Sequence, residues 1–542
     1  MRTGRMEIIM EPYRFFGMLK QKIKKEYVIC VVSVFVFGFL AHMFKFTNYL
    51  PNYDSIPSYY SAENTIHLGR CFLILGCGVS SFYDIPWVIG LLSLMYLSVS
   101  VIGITKILKL RNPLSLVLVS AIMVTFPAVT CTFAFMYTAD GYFLAMMLAT
   151  LAIYLALCRK SKRSLVAAAL MLCFSFGMYQ AYILYAMVLV LVYGLQRMLL
   201  DDCKVSGLLR EYIRPLIAGA CGAILYVVSY NVLLRLENVA LSDYQGITGM
   251  GLPDLQQFID GVYQSFHDYF SFLFYSERGI TLYIVMNVIV TCLLIVGVLA
   301  VVFRRKRYQT PGKLVLSVVL AGFIPLCTYF YYFISKAMLY HTVMLESIAL
   351  FYVFLIVLFE RGVFWDIKDV ETEEKSRRKQ YEKGYRWAVF IALVLVVYNF
   401  ILTANIVYAR MQTSYERSLA VISRMADRIE QLPEYENGEV TKLAVVGVLP
   451  GSNETIHNFP PDLDGTVPNY IMRIQRDYVI LLDRYGGISL ENATTGELSA
   501  ILQTDIYAGM EDWPSVESVA VVGDTVVLRL SEPYYDFEKT EP

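Results

Sequence analysis

Charged side chains are scarce. Asp, Glu, Lys and Arg make up 17% of the 542 residues and hydrophobic residues 57%; with a mean hydropathy of +0.53, this excludes a water-soluble protein of such size. Neither sign dominates, with 46 Lys+Arg against 46 Asp+Glu, so bulk charge points to neither nucleic acid nor an acidic partner. Cysteine is missing from the polar C-terminal region: all ten precede residue 330, and no disulfide framework or paired-Cys metal site is visible. Cys71 and Cys77 are spaced for a bridge at the outer surface, but ordinary buried thiols fit them better. No small-residue cleavage site follows the seven Lys/Arg that precede residue 27, so the first apolar run reads as an uncleaved span. Internal repeats and low-complexity tracts are lacking. Neither GxxxxGK[ST] nor a helix-opening GxGxxG occurs, which removes the nucleotide-phosphate loops.

What is abundant is apolar runs long enough to cross hydrocarbon, at about 20 residues each. Eleven are expected, near 27–45, 86–105, 113–133, 142–158, 164–178, 179–196, 214–234, 280–303, 313–334, 338–359 and 386–407. The run 164–197 is one over-long helix or two short ones meeting at "FGMYQAY", and charge decides. With two helices, the segments on the N-terminal side carry 31 Lys/Arg and the opposite loops five. With one helix that positive-inside bias vanishes. Two short helices are therefore expected, with Gly177 as a helix terminator. The threading puts residues 1–26 in the cytoplasm, a transmembrane domain at 27–407 and residues 408–542 outside. The basic cytoplasmic links are topogenic charge beside anionic lipid, and "KDVETEEKSRRKQYEK" (368–383) reads as a solvated charged helix.

The last 135 residues change character. Apolar positions 419, 422, 425, 426 and 429 have the spacing of an amphipathic helix. "KLAVVGVLP" (442–450), "YVILLD" (478–483) and "SVAVVGDTVVLRL" (518–530) are β-branched runs bounded by turn residues and read as strands. A small extracytoplasmic α/β or α+β domain follows. The sequons at Asn453 and Asn492 are short enough to arise by chance.

All polar, aromatic-rich connections fall on the outer face. The first, "TNYLPNYDSIPSYYSAENTIHLGR" (47–70), carries Asp54, Glu63, His67 and Arg70. After it, 71–86 reads as a helix lying in the interface. Ionisable groups held near hydrocarbon are costly and tend to carry a task; the plain alternative for Asp54 is an interfacial aspartate capping a short helix. Transfer of a sugar from a lipid phosphate to a hydroxyl suits this set. It needs a carboxylate to accept the hydroxyl proton, and desolvation beside a membrane would make that carboxylate a better base. It also needs a cation on the departing phosphate, and a guanidinium grips phosphate oxygens bidentately.

"NYDSIPSYYSAENTIHLGRCFLILG", then "FPAVTCTFAFMYTADGYFLAMMLATLAIYL", then "GMYQAY" resemble the bacterial glucosyl transferase family of the Gtr type II kind, within the GT-C superfamily. The resemblance runs over roughly the first 400 residues. It implies a polytopic GT-C-like helical fold, a polyprenyl-phosphate sugar donor (commonly undecaprenyl-phosphate glucose), transfer with inversion, and a surface-glycan acceptor such as O-antigen outside the bacterial inner membrane. On this resemblance Asp54 takes the place of the acidic residue after the first span, and Arg70 that of the basic residue in the Gly-Arg pair. The sequence departs from the pattern in reading "NYDS" without a doubled acid and "GRC" without Trp.

Asp140 is the second candidate carboxylate, with helix N-cap as its plain alternative. Tyr179 and Gln180, at the tip of the short hairpin, are candidates for sugar stacking and hydrogen bonding. Lys336 and His341 are candidates for a second phosphate contact, against an ordinary snorkelling lysine. Residues 235–279 are the expected acceptor-side loop or, more plainly, packed interfacial helices. No cofactor is fixed by the sequence, and a divalent ion (Mg or Mn) stays open because Asp54 with Asp140 has the oxygen ligands for one. The rival readings are a transporter or flippase of lipid-linked sugars, for which Glu346 inside the tenth run speaks, a ligase or polymerase of lipid-linked glycans, and a non-catalytic glycan-binding protein.

Overall fold

The computed structural model of the chain describes residues 23–57, 66–246, 249–276, 279–362, 373–449 and 468–531, together with Gly17 and Leu463. Glu63 and Asn453 lie outside the described residues, as do the basic segment before residue 17 and the first part of the charged segment 368–383.

The fold is that of a polytopic helical membrane protein with a small C-terminal sheet. Eight described helices are long and apolar enough to cross a bilayer. They are α1 (Lys25–Thr47), α3 (Pro86–Ile107), α6 (Met136–Cys158), α8 (Ala181–Leu199), α9 (Val205–Glu237), α11 (Leu282–Arg304), α12 (Pro311–Thr328) and the apolar stretch of α14 (Glu373–Glu430). A further apolar pair, α4 (Pro113–Thr125) and α5 (Pro127–Ala134), is bent by 42° at its break, the form of a broken span or a re-entrant loop. Pro127 explains the bend: it lacks an N–H, and its ring disfavours a helical residue before it, so Phe126 is extended (ψ 142°).

Two expected spans take other forms. α7 (Lys162–Met178) has 17 residues, about 26 Å of rise against a hydrocarbon core of about 30 Å. The run 338–359 is broken into tight turns at Thr342–Met344 and Glu346–Ile348 before α13 (Ala349–Val357) begins. Glu346 therefore lies at the mouth of this segment, not within a straight span.

The 164–197 run is two helices, and they fold back on each other. Near its start α9 meets both the beginning of α7, through Arg214 to the Ser161 carbonyl (2.9 Å), and the end of α8, through Glu211 to Tyr193 and Arg197 (2.9 and 2.6 Å). Further along, Tyr226 reaches Gln180 in the connection between them (3.3 Å). The break at Tyr179, which is extended (φ −154°), is thus a true reversal.

One end of the bundle is closed by charge. Asp201 accepts from Lys109 (3.0 Å), Arg197 (2.6 Å) and Arg361 (2.7 Å). Arg307 donates to the Leu199 and Asp201 carbonyls, and Glu360 accepts the N–H groups of Arg111 and Asn112. Burial pushes the Asp201 carboxyl up, but its cations outweigh that and hold it at about 2. The loops gathered here are the Lys/Arg-rich ones of the sequence.

At the other end α14 runs without a break through residue 408 into the C-terminal domain, 58 residues in all and about 87 Å long. Its last turns supply Ile422, Met425 and Ile429 to one face of a sheet ordered β2-β1-β4-β3, with β1 Lys442–Val446, β2 Glu491–Asn492, β3 Val519–Val522 and β4 Thr525–Arg529. β1 is parallel to β2 and β4, and β3 is antiparallel to β4. Strand alternation sends Leu443, Val445, Val526 and Leu528 toward α14, and Ala444, Val446 and Val527 toward α16 (Thr495–Ile501). The run 518–530 is a hairpin turning at Gly523 (φ +64°), and "YVILLD" is not a strand but runs from α15 (Gln475–Leu481) into the helical turn Leu482–Gly486.

Candidate active site

The first connection is tied to the bundle by hydrogen bonds to its backbone carbonyls. Gly69 has φ +76°, a conformation open to glycine at little cost. Its carbonyl accepts from the Tyr226 hydroxyl (2.9 Å), and the Leu68 carbonyl accepts from the Gln180 amide (3.0 Å). The Gln180 carbonyl accepts from Tyr331 (2.8 Å), while Phe72 N–H donates to the Gly177 carbonyl (2.8 Å). The Gly69-Arg70 turn is thus stapled across the tip of the α7–α8 hairpin.

This places Arg70 over two rings. Its guanidinium lies 5.5 Å from the Tyr179 centroid and 5.9 Å from that of Tyr142, and the rings stack on each other at 4.1 Å and 9°. Cation–π attraction orients the guanidinium. Tyr182 continues the aromatic run inward toward Glu346, which is 4% exposed and has Oε1 without a hydrogen-bond partner among the described residues.

Asp54 sits elsewhere in the same connection, in the turn Tyr53–Ser55. Buried Asn52 caps it, accepting from the N–H groups of Asp54 and Ser55 (both 3.0 Å). The turn is wedged between the bundle and the C-terminal domain. Tyr53 packs edge-on to Phe135 and lies under the Arg473 guanidinium (4.1 Å), Arg484 donates to the Ile56 carbonyl (3.3 Å), and Ile56 is buried in the core of the C-terminal domain. The Asp54 carboxyl itself is exposed. The expectation of a desolvated Asp54 is therefore corrected, because Asp54 lies on the exposed side of a turn whose neighbours Asn52, Ser55 and Ile56 are the buried ones.

Asp140 and Asp84, unlike Asp54, are desolvated. Asp140 is fully buried as the fifth residue of α6, so it is not the helix N-cap. Its Oδ1 accepts from Gly141 N–H (2.9 Å), and the Ser80 hydroxyl is beside it. Asp84, between the short helix α2 (Leu73–Cys77) with its following turn and α3, is 8% exposed. Burial pushes its carboxyl up to about 6, against the pull of Lys45. Lys45 is itself 1% exposed and donates to the Leu50 carbonyl, so this pair underpins the start of the loop that carries Asp54. Sequence reasoning missed both. The available signal was a lysine at the outer end of α1 and an aspartate just before α3, each bordering an apolar run.

Gln180 is half-buried and its amide is engaged in the staple, so it positions Arg70. His67 is half-buried, and its carbonyl accepts from Ser242 N–H (3.1 Å). Lys336 is exposed and ion-paired with Asp254 (2.8 Å), and exposed His341 precedes the turn Thr342–Met344. The expected interfacial helix at 71–86 is the five-residue α2, packed so closely on α6 that a Cβ on Gly76 would lie 2.8 Å from Gly141 Cα. Cys71 and Cys77 are buried thiols and form no disulfide with each other. No group of three or more His, Cys, Asp or Glu side chains among the described residues is placed to hold a metal ion.

No curated protein and no solved structure shows significant similarity to the chain. The family model described as glucosyl transferase GtrII matches residues 43–359, which include the stapled Gly69-Arg70 turn, the α7–α8 hairpin and Glu346. With more than half of its length matched, the chain belongs to the glucosyl transferase GtrII family.

Proposed function

We propose that the protein is a GT-C type glycosyltransferase of the bacterial inner membrane. It moves a sugar, glucose on the family's evidence, from a polyprenyl phosphate such as undecaprenyl phosphate to a hydroxyl of a surface glycan, with inversion. The N-terminus is cytoplasmic and the C-terminal domain extracytoplasmic. The observation that carries this reading is the Arg70 guanidinium, fixed on the Tyr142–Tyr179 stack at the bundle end opposite the Lys/Arg-rich one. A cation anchored there suits the phosphate of a lipid whose tail stays in the bilayer.

In this reading Arg70 holds the donor phosphate and Tyr179 offers an aromatic face near the sugar. Exposed Asp54 accepts the proton of the attacking hydroxyl. The acceptor O–C1 bond forms as the C1–O(phosphate) bond breaks, and polyprenyl phosphate leaves with its charge held by the guanidinium. Asp140, buried behind the hairpin, supports α6 under Tyr142. Glu63, His67, Lys336 and His341 are proposed to line the approaches of donor and acceptor. A divalent ion between Asp54 and Asp140 is not needed for these steps. Glu346, a buried carboxyl inside the bundle, favours a second reading as a flippase of lipid-linked sugar.

The experiment is transfer of labelled glucose from synthetic polyprenyl-phosphate glucose by the purified protein in lipid, wild type against Asp54→Asn. A loss of about 100-fold or more in the variant at equal yield is expected for removal of a general base. Near-normal turnover of the variant would remove Asp54 from that role. Movement of the lipid across the bilayer without transfer would select the flippase.

A further inference from the structure

The helix α14 carries a line of arginines where it leaves the bundle. Arg410, Arg417 and Arg424 recur at every seventh position, so each returns to within about 20° of the same helix face, and the line is about 21 Å long. Arg417 and Arg424 are exposed. The segment Tyr470–Arg473 lies against this stretch, with Ile471 N–H donating to the Ser418 hydroxyl (3.0 Å), and it adds the exposed Arg473 beside the Asp54 turn.

Aromatic rings hold three of these four guanidinium groups. Arg417 lies 5.7 Å from the Tyr470 centroid, Arg424 5.3 Å from that of Trp513 and Arg473 4.1 Å from that of Tyr53. None of the four is ion-paired with a carboxylate among the described residues. Glu416, next to Arg417 in the chain, is engaged by the Gln412 amide instead (2.7 Å). Cation–π contact fixes a guanidinium without using its N–H donors. Only Arg424 Nε is occupied, by the Ala420 carbonyl (3.3 Å). One turn further on, Arg428 gives its N–H groups to the Pro514 and Ser515 carbonyls, so the line ends at Arg424.

We propose that this line is the track for an acidic acceptor glycan, a saccharide chain bearing carboxylate or phosphate groups, and that it leads the chain past Arg473 to Asp54. The inference rests on the transferase reading above and names the class of its acceptor. Guanidinium groups grip either oxyanion bidentately. Anionic lipid does not fit the line: Arg424 stands about 26 Å along the helix from residue 407, where the apolar stretch ends, and the headgroup layer is about 5–8 Å deep. Lipid phosphates therefore reach Arg410 at most. Elsewhere at this end of the bundle the sign is reversed. Segment 235–279, which contains α10 (Leu255–Phe274), has six Asp/Glu against two Lys/Arg, so an acidic chain is drawn to the arginines and not to that segment. All four arginines lie outside residues 43–359, so the acceptor class they set does not come from the family match.

The test is fluorescence anisotropy of end-labelled saccharide chains titrated with the full-length protein in phosphatidylcholine nanodiscs. The chains are oligogalacturonate, its methyl ester and a phosphate-bearing oligomannoside, with polyglutamate of matching length as a peptide polyanion. At least one acidic saccharide should bind, more weakly as salt rises, and the tighter of the two identifies the oxyanion read. Arg417→Gln and Arg424→Gln should each raise its Kd by about tenfold, the worth of one hydrogen bond to a charged group. Binding of neither acidic saccharide, equal binding of the methyl ester, or a Kd unmoved by both substitutions would each overturn the track. Equal binding of polyglutamate would make it a surface for acidic polypeptide and overturn the glycan. The ester comparison uses the wild type and stands whatever the substitutions do to folding. Binding needs no turnover. Failure of the transferase reading therefore shows in the transfer assay, and failure of the track in lost discrimination between charged and esterified chains.

Discussion

At Gly69 a single methyl group would do disproportionate damage. An added Cβ would sit 2.6 Å from the Gln180 amide nitrogen and 2.9 Å from the Tyr226 hydroxyl, the two groups that staple the turn, and the left-handed backbone adds about 1–2 kcal/mol. Gly69→Ala should therefore cut transfer by about tenfold or more, the worth of about 1.4 kcal/mol lost at the site, with donor KM rising because Arg70 is what moves. Steady-state kinetics against donor concentration check this; an unchanged KM would mean the staple does not set Arg70. Asp84 makes a different prediction. Burial raises its carboxyl from an ordinary 3.8 to about 6, so the folded state favours the protonated form. That contribution is fully present below about pH 4 and is lost as pH rises through about 6, amounting to about 3 kcal/mol. Asp84→Asn should match the wild type near pH 4 and be the more stable protein at pH 7, read as thermal midpoints in detergent across that range. A parallel pH dependence in both proteins would show that Asp84 is not desolvated.

Among the elements, the paired helices α7 and α8 were legible from sequence because charge is a global constraint: one crossing too few would have moved every later basic loop to the wrong side. The aromatic hairpin tip and the amphipathic end of α14 were legible for local reasons, as spacing and periodicity speak for themselves, whereas the Gly69-Arg70 pair was singled out only by the family resemblance. "YVILLD" misled because its β-branched composition was weighed without its cap. Asp477 accepts from the N–H groups of Arg473 and Ile474 (2.9 and 3.2 Å), and buried Tyr478, Leu481 and Leu482 have helical spacing. The buried Asp84 and Lys45, and the exposure of Asp54, depend on which elements meet in space, which no single stretch records. The basic end of the bundle shows the same dependence. Asp201 sits just beyond α8 and collects Lys109, Arg197 and Arg361 from three separate segments. Asp201→Asn leaves those cations crowded together without their anion, at a cost of about 3 kcal/mol. Thermal unfolding in detergent should register it, and an unshifted midpoint would make the cluster dispensable.

Across the whole molecule, the proposed base is positioned from outside the membrane. The Asp54 turn leans on the bundle only through contacts such as Tyr53 on Phe135, whereas Arg473 covers Tyr53, Arg484 holds the Ile56 carbonyl, and Ile56 is part of the other domain's core. α14 makes this arrangement mechanical, since one uninterrupted helix joins the membrane-spanning bundle, which holds the proposed donor cation, to the sheet domain that braces the proposed base. A change far from Arg70, and outside the segment that defines the family, should then impair transfer. Arg473→Ala removes a cation–π contact worth about 0.5–2 kcal/mol, so kcat should fall by between about twofold and thirtyfold while donor binding, set by Arg70, stays the same. Transfer kinetics beside equilibrium donor binding separate the two. Equal loss in both would mean that the C-terminal domain supports the fold as a whole, and no loss in either would detach it from the chemistry.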